Sequence, residues 1–179
     1  MPESITVAVH GRFQPFHLGH VNYLRAALEN GDRLVVGITN YDATPAAVEP
    51  AAIHRHRFEA NPFSYFERQR MVLESLADLG IGSRLAGVVP FPIQALERLH
   101  AFVPIGAVHV VRVWSEWEAE KVRRLRNHGC DVIELRPEGH KDGSGTEVRG
   151  RIRSGSDWES LVPAGTARVI RSLAPPAEP

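Results

Sequence analysis

Short β-branched runs, each followed by a stretch of helical periodicity, constrain this chain more than any other feature. "ITVAVH" (residues 5–10) leads into "LGHVNYLRAALEN", where Val21, Leu24, Ala27 and Leu28 recur at helical spacing before Gly31 ends the pattern. "RLVVGIT" (33–39), "AGVVPF" (86–91), "AVHVVRV" (107–113) and "CDVIEL" (130–135) are further runs of the same kind. Helical stretches fall at 64–80, 116–129, 145–155 and 164–174, with a helical or irregular piece around "ALERLHAF". Ser64 stands three residues before Glu67, the spacing of a capping box. Strands alternating with helices predict an α/β fold, a doubly wound parallel sheet with helices on both faces. One domain over 1–174 is expected, with the proline-rich end at 175–179 as a flexible tail. Residues 40–63 hold three prolines and no sustained period, which reads as a long loop of the functional or mobile kind.

Bulk properties narrow the function. A length of 179 residues with 43% hydrophobic content is enough for one core. Lys+Arg and Asp+Glu both number 21, so neither nucleic-acid wrapping nor membrane-surface binding is expected, and any anion is bound locally. The single cysteine, Cys130, can form no internal disulfide and fits a small apolar position in a reducing compartment. No apolar run approaches membrane-spanning length and no charged-then-apolar leader opens the sequence, so a cytoplasmic location is expected.

In an open parallel sheet, ligands meet the carboxyl ends of the strands where the strand order reverses. "HGRFQPFHLGH" follows the first strand and would stand there. A helix opening near Leu18 offers unpaired N–H groups and the positive end of its dipole. Gly11 and Gly19 allow close backbone approach, Arg12 can fork onto phosphate oxygens, and His17 and His20 lie three apart near one face. The stretch reads as a phosphate cradle. Capping or surface histidines and half of a zinc site are the alternatives. There is no HExxH glutamate, and the glycines fit neither GxGxxG nor GxxxxGK[ST], so zinc, hydride transfer and a P-loop are disfavoured. In "HKDGSGTEVRGRI", Ser144 or Thr146 can cap a second helix, Glu147 suits its dipole, and Arg149 projects from its first turns. Alone, that segment would read as a routine capped surface helix.

"GRFQPFHLGH" resembles the HxGH motif of the nucleotidylyltransferase superfamily, in the form that archaeal-type nicotinamide mononucleotide adenylyltransferases carry. "NPFSYFERQRM" is similar to the NPF…ERxxM segment, "GSGTEVRGRI" to the second signature, and "DWESLVP" to the stretch that follows it. Order and spacing agree along nearly the whole chain. The resemblance implies the Rossmann-like HxGH fold and transfer of a nucleoside monophosphate from a triphosphate to a phosphate or phosphonate oxygen, releasing pyrophosphate. It implies that His17, His20, Arg12 and Lys141 are catalytic, with His20 favoured for transition-state stabilisation. Gly11, Phe13, Gln14, Gly19, Ser144, Thr146 and Arg149 would hold nucleotide and phosphates. Mg2+ would ride on the triphosphate with waters retained and no protein ligand cage. Homo-oligomers are common in the superfamily.

The chain departs from the nicotinamide mononucleotide enzymes in two places. A TGN-like, ring-recognising stretch is replaced by "RVWSEWE", and the frequent lysine of "HKGH" is Leu18. "VVGITNYD" and the proline-rich loop are more similar to cytidylyltransferase domains that activate small phosphonates or phospho-alcohols. The leading expectation is therefore CTP with a small phosphonate or phosphate acceptor. ATP with nicotinamide mononucleotide is the alternative, and a non-catalytic nucleotide sensor a further one. Arg68, Trp114 and Trp117 are weaker acceptor-binding candidates, each weighed against an exposed helix charge or a core aromatic; the basic "IHRHR" (53–57) is weighed against a solvated patch.

Overall fold

The computed structural model describes residues 4–42, 60–139 and 143–173. Five strands, β1 (Thr6–Gly11), β2 (Arg33–Ile38), β3 (Leu85–Pro90), β4 (Val108–Arg112) and β5 (Val132–Leu135), form one parallel sheet in the order β3-β2-β1-β4-β5. The register pairs Val7 with Leu34 on one side of β1 and with Val108 on the other. Between the strands run α1 (Leu18–Leu28), α2 (Tyr65–Asp78) and α3 (Glu116–Asn127), followed after β5 by α4 (Gly145–Ser154) and α5 (Ala164–Ser172).

The central strands are apolar throughout because both sheet faces are covered, and successive side chains divide between two cores. Val7, Val9, Leu34, Val36, Ile38 and Val110 join the cluster beneath α1, α2 and α5. Ala8, Val35 and Val111 turn the other way and pack with Val122 and Leu125 of α3 and with Phe91, Ile93 and Leu99. α5 lies backbone to backbone on α2. A Cβ at Gly165 would come within 2.3 Å of the Ser75 nitrogen, and Thr166 shares a buried hydroxyl contact of 3.2 Å with Ser75.

Local chemistry agrees with the sequence at several ends. Ser64 Oγ accepts from the Glu67 N–H at 3.2 Å while Glu67 Oε2 accepts from the Ser64 N–H at 2.8 Å, a reciprocal box at the start of α2. The "ALERLHAF" stretch takes a 3-10 form over Leu96–Ala101. Most of the long loop, with "IHRHR", lies outside the described residues, as do Lys141 and the tail from 174 onward. Among the described residues no helix is long and apolar enough to cross a membrane. Cys130 is half-buried against the α3 core.

Candidate active site

β1 and β4 are sheet neighbours whose connections leave in opposite senses, one toward β2 and the other toward β5. A crevice must open at their carboxyl ends. A cavity of about 430 Å³ lies there, reached by residues of β1, the β1–α1 segment, the β4–α3 segment and the start of α4.

The β1–α1 segment is a tight turn built around Phe13, whose φ of +50° puts a non-glycine residue in the left-handed region. Phe13 is buried beneath His20, with ring centroids 4.8 Å apart, and supports it edge-on. His17 caps α1, and its backbone N–H donates to His20 Nδ1 at 3.2 Å. An Nδ1 that accepts leaves the ring proton of a neutral His20 on Nε2, available as a donor. Burial, then the neighbouring His17, Arg112 and Arg12, hold His20 well below its ordinary pKa. The two imidazoles are stacked at 3.7 Å, so both cannot carry charge together. α1 has no acidic residue in its first turn, which keeps its positive end available to an anion.

α4 brings a second helix start to the same cavity. Ser144 rather than Thr146 is the cap, its Oγ accepting from the Glu147 N–H at 3.1 Å. Gly145 packs directly on the β1–α1 turn, where a Cβ would fall 2.6 Å from the Gln14 carbonyl oxygen. That contact leaves glycine as the residue that fits. Arg149 is 7% exposed, lines the cavity, and donates to the Gln14 carbonyl and, at 3.2 Å, to Thr146 Oγ1. Both acceptors are neutral, and no ion pair involving Arg149 exists among the described residues. Burial lowers its pKa, the cost of a cation held in the protein without a counter-charge.

The expected site residues thus divide. Gly11, Arg12, Phe13, Gln14, His17, His20, Ser144, Thr146, Arg149, Trp114 and Trp117 line one cavity. Gly19 stands behind it, its carbonyl accepting from Arg112. Gln14 is tied by its side-chain amide to the Phe63 backbone in both directions, at 2.8 and 3.0 Å, so its side chain fastens the turn to the "NPF" stretch. Lys141 lies outside the described residues. Arg68 is not the exposed helix charge weighed above: it is 2% exposed, and it donates to the carbonyls of Ser64, Arg12, Thr39 and Asn40 at 2.7–3.2 Å. Four of its five N–H donors are spent on backbone carbonyls. Trp114 and Trp117 are half-buried on the cavity wall rather than in either core, each with an arginine over its ring.

Sequence reasoning missed the floor and far wall. His10, Tyr23, Arg112, Glu118 and Lys121 also line the cavity. Tyr23 and Lys121 are buried positions of α1 and α3, where their helical spacing matches that of core residues. The one available signal was Lys121 itself, a lysine on the same face of α3 as Val122 and Leu125.

The comparisons with known proteins agree with this geometry. Residues 8–151 match the family profile "Cytidylyltransferase-like". The chain is 39% identical over 166 residues to a phosphonoformate cytidylyltransferase of Streptomyces viridochromogenes, covering 93% of this chain and 90% of that one. It is 31% identical over 169 residues to a nicotinamide-nucleotide adenylyltransferase of Methanolobus tindarius, covering 91% and 86%. A bifunctional NMN adenylyltransferase/ADP ribose pyrophosphatase from Francisella tularensis shares the fold, with a TM-score of 0.68 at 17% identity; the match covers 94% of this chain and 49%, about half, of that one. With 144 of its 179 residues matched and a 39% identical relative covered nearly end to end, the chain belongs to the cytidylyltransferase-like family of nucleotidyltransferases.

Proposed function

We propose that this enzyme transfers a cytidylyl group from CTP to an oxygen of a small phosphonate, releasing pyrophosphate. The observation that carries the triphosphate half is Arg149, a buried guanidinium facing the cavity with neutral oxygens as partners, beside two helix starts. In this reading the phosphonate oxygen attacks the α-phosphorus and the bond to the β-phosphate oxygen breaks. An anionic nucleophile needs no general base, so the chain's work is positioning and neutralising charge. His20 donates Nε2–H to oxygens that gain charge in the transition state. Arg12, the α1 N–H groups, Ser144, Thr146 and Arg149 hold the remaining phosphate oxygens, with Lys141 expected to join them.

Magnesium enters as a companion of the triphosphate. Among the described residues no group of three or more His, Cys, Asp or Glu could hold an ion. The donor set fits a hard cation that keeps most of its waters and phosphate ligands; when bound, it would screen the phosphate oxygens.

The base and acceptor rest on two supports. The phosphonoformate enzyme is similar over nearly the whole chain, and the β4–α3 wall is aromatic and cationic. A second reading, ATP with nicotinamide mononucleotide, is favoured by the similarity to nicotinamide-nucleotide adenylyltransferases of several archaea. The deciding experiment is pyrophosphate release with magnesium, crossing ATP, CTP, GTP and UTP against nicotinamide mononucleotide and a panel of small phosphonates and phosphorylated alcohols. Turnover with CTP and a phosphonate is expected. Turnover restricted to ATP and nicotinamide mononucleotide would replace this reading with the second.

A further inference from the structure

Gln14 lines the cavity, yet its side-chain amide is spent on the backbone. Nε2 donates to the Phe63 carbonyl at 2.8 Å, and Oε1 accepts from the Phe63 N–H at 3.0 Å. An amide that exchanges both hydrogen bonds with one residue reproduces the pairing of adjacent antiparallel strands, and the two bonds together fix its rotation. At 4% exposure, little water reaches it to compete. The anchor at the other end is rigid as well. Ser64, the next residue, caps α2, and its N–H donates to Glu67 Oε2 at 2.8 Å. Arg68, one turn further, ties the Ser64 carbonyl to that of Arg12.

The main chain of Gln14 carries α4. Its carbonyl oxygen accepts from Arg149 Nη1, and Gly145 packs against both of these atoms, where a Cβ would fall 2.6 Å from the oxygen and 3.1 Å from the nitrogen. The other partner of the guanidinium, Thr146 Oγ1 at 3.2 Å, belongs to the same helix as Arg149. Among the described residues, the Gln14 carbonyl is therefore the hydrogen-bond acceptor that relates Arg149 to the β1–α1 turn and its histidines. The Gln14 side chain and carbonyl thus join the start of α2 to the cation of α4.

We propose that Gln14 is a positioning residue for the transfer reaction: by pairing with the Phe63 backbone, it sets the carbonyl that aims Arg149 at the triphosphate. The assignment rests on the nucleotidylyl-transfer reading and gives Gln14 an indirect part in it, in place of the direct nucleotide contact that the family resemblance implies. A guanidinium on a long, rotatable stem stabilises a transition state only where its direction is fixed beforehand. Gln14 supplies that direction from outside α4.

The test reads both turnover and the guanidinium itself. Gln14→Met keeps the side-chain length and removes both hydrogen bonds; Gln14→Glu keeps the acceptor, loses the donor, and carries the same comparisons if Gln14→Met does not fold. With CTP, magnesium and phosphonoformate, Gln14→Met should lower kcat by about tenfold or more, within the ~10²-fold that a small misplacement can cost. Equilibrium affinity for CTP should change little, which also shows that the variant is folded. In an Arg149→Met background the same substitution should cost nothing further, because a residue that acts through Arg149 has nothing left to act on. NMR of isotopically labelled arginine needs no turnover: the Arg149 signal, assigned by its loss in Arg149→Met, should show hindered guanidinium rotation in the wild type and averaging in the Gln14 variant. Costs that multiply in the double variant, an unchanged kcat, or an Arg149 signal that does not respond would overturn the proposal. Failure of the underlying reading looks different: the Arg149 signal responds, but no pair of nucleotide and acceptor yields pyrophosphate.

Discussion

Two buried guanidiniums flank the β1–α1 turn, and they differ in what they leave over. Arg68, from α2, bonds the Arg12 carbonyl on one side; Arg149, from α4, bonds the Gln14 carbonyl on the other. Arg68 spends four of its five N–H donors on backbone carbonyls, two of them Thr39 and Asn40 at the end of β2. It also spans both non-glycine residues of positive φ among the described residues, bonding the carbonyl just before Phe13 and those at and before Asn40. Arg149 has two neutral partners and faces the cavity. The first ties the framework together inside the chain, and the second keeps capacity for an anion from outside it. Burial alone does not distinguish a ligand from a staple; counting donors against acceptors does.

Substitution should separate the two. Arg149→Met is expected to lower turnover by ~10³-fold, the upper range for one preorganised donor in a transition state. Its thermal stability should change little beside that loss. Loss of nucleotide affinity with turnover unchanged would make Arg149 a ground-state ligand. Arg68→Met is expected to cost roughly 3 kcal/mol, because a buried framework cation and its hydrogen bonds vanish together. Denaturant unfolding reads that cost, and an unchanged midpoint would break the contrast.

Acid should act on the cavity floor next. His10, His20 and His109 all have lowered pKa values, His109 to about 4, with burial the largest cause in each. At pH above about 6.5 each is neutral both folded and unfolded and contributes nothing. Below that, the unfolded chain takes up protons that the folded chain refuses, so stability falls as pH falls, by up to ~1.4 kcal/mol per pH unit per histidine. Melting temperatures from pH 8 to pH 4.5 should show this loss, and His109→Gln should flatten it. The smallest effect compares two caps of like chemistry: Ser64→Ala and Ser144→Ala should each cost about 1 kcal/mol. Turnover should fall further in the second, and equal activity in the two would remove Ser144 from the phosphate site.

The fold was legible because strands buried on both faces must be apolar throughout, and because Ser64, Ser144 and the helix-ending glycines state their roles locally. The part of the cavity proposed to take phosphates was legible for a related reason. Arg12, His17, His20 and Arg149 lie within two short segments whose helix starts point at one spot, and their spacing survives in the sequence. The far wall was not, because Tyr23, Arg112 and Lys121 come from three elements that only the sheet order brings together. On a helix, an inward-facing lysine and an inward-facing valine share one period. Arg68 was misjudged for the same reason, since its carbonyl partners at 12, 39 and 40 are distant in sequence.

The most direct test of the account is a single-turnover experiment with excess enzyme, labelled CTP, magnesium and phosphonoformate. Each CTP bound should yield one pyrophosphate and one cytidylyl–phosphonate anhydride, and His20→Ala should slow that step far more than it weakens CTP binding. CTP that binds to the wild type and is recovered intact, with every acceptor of the panel present, would contradict it and make the cavity a nucleotide sensor.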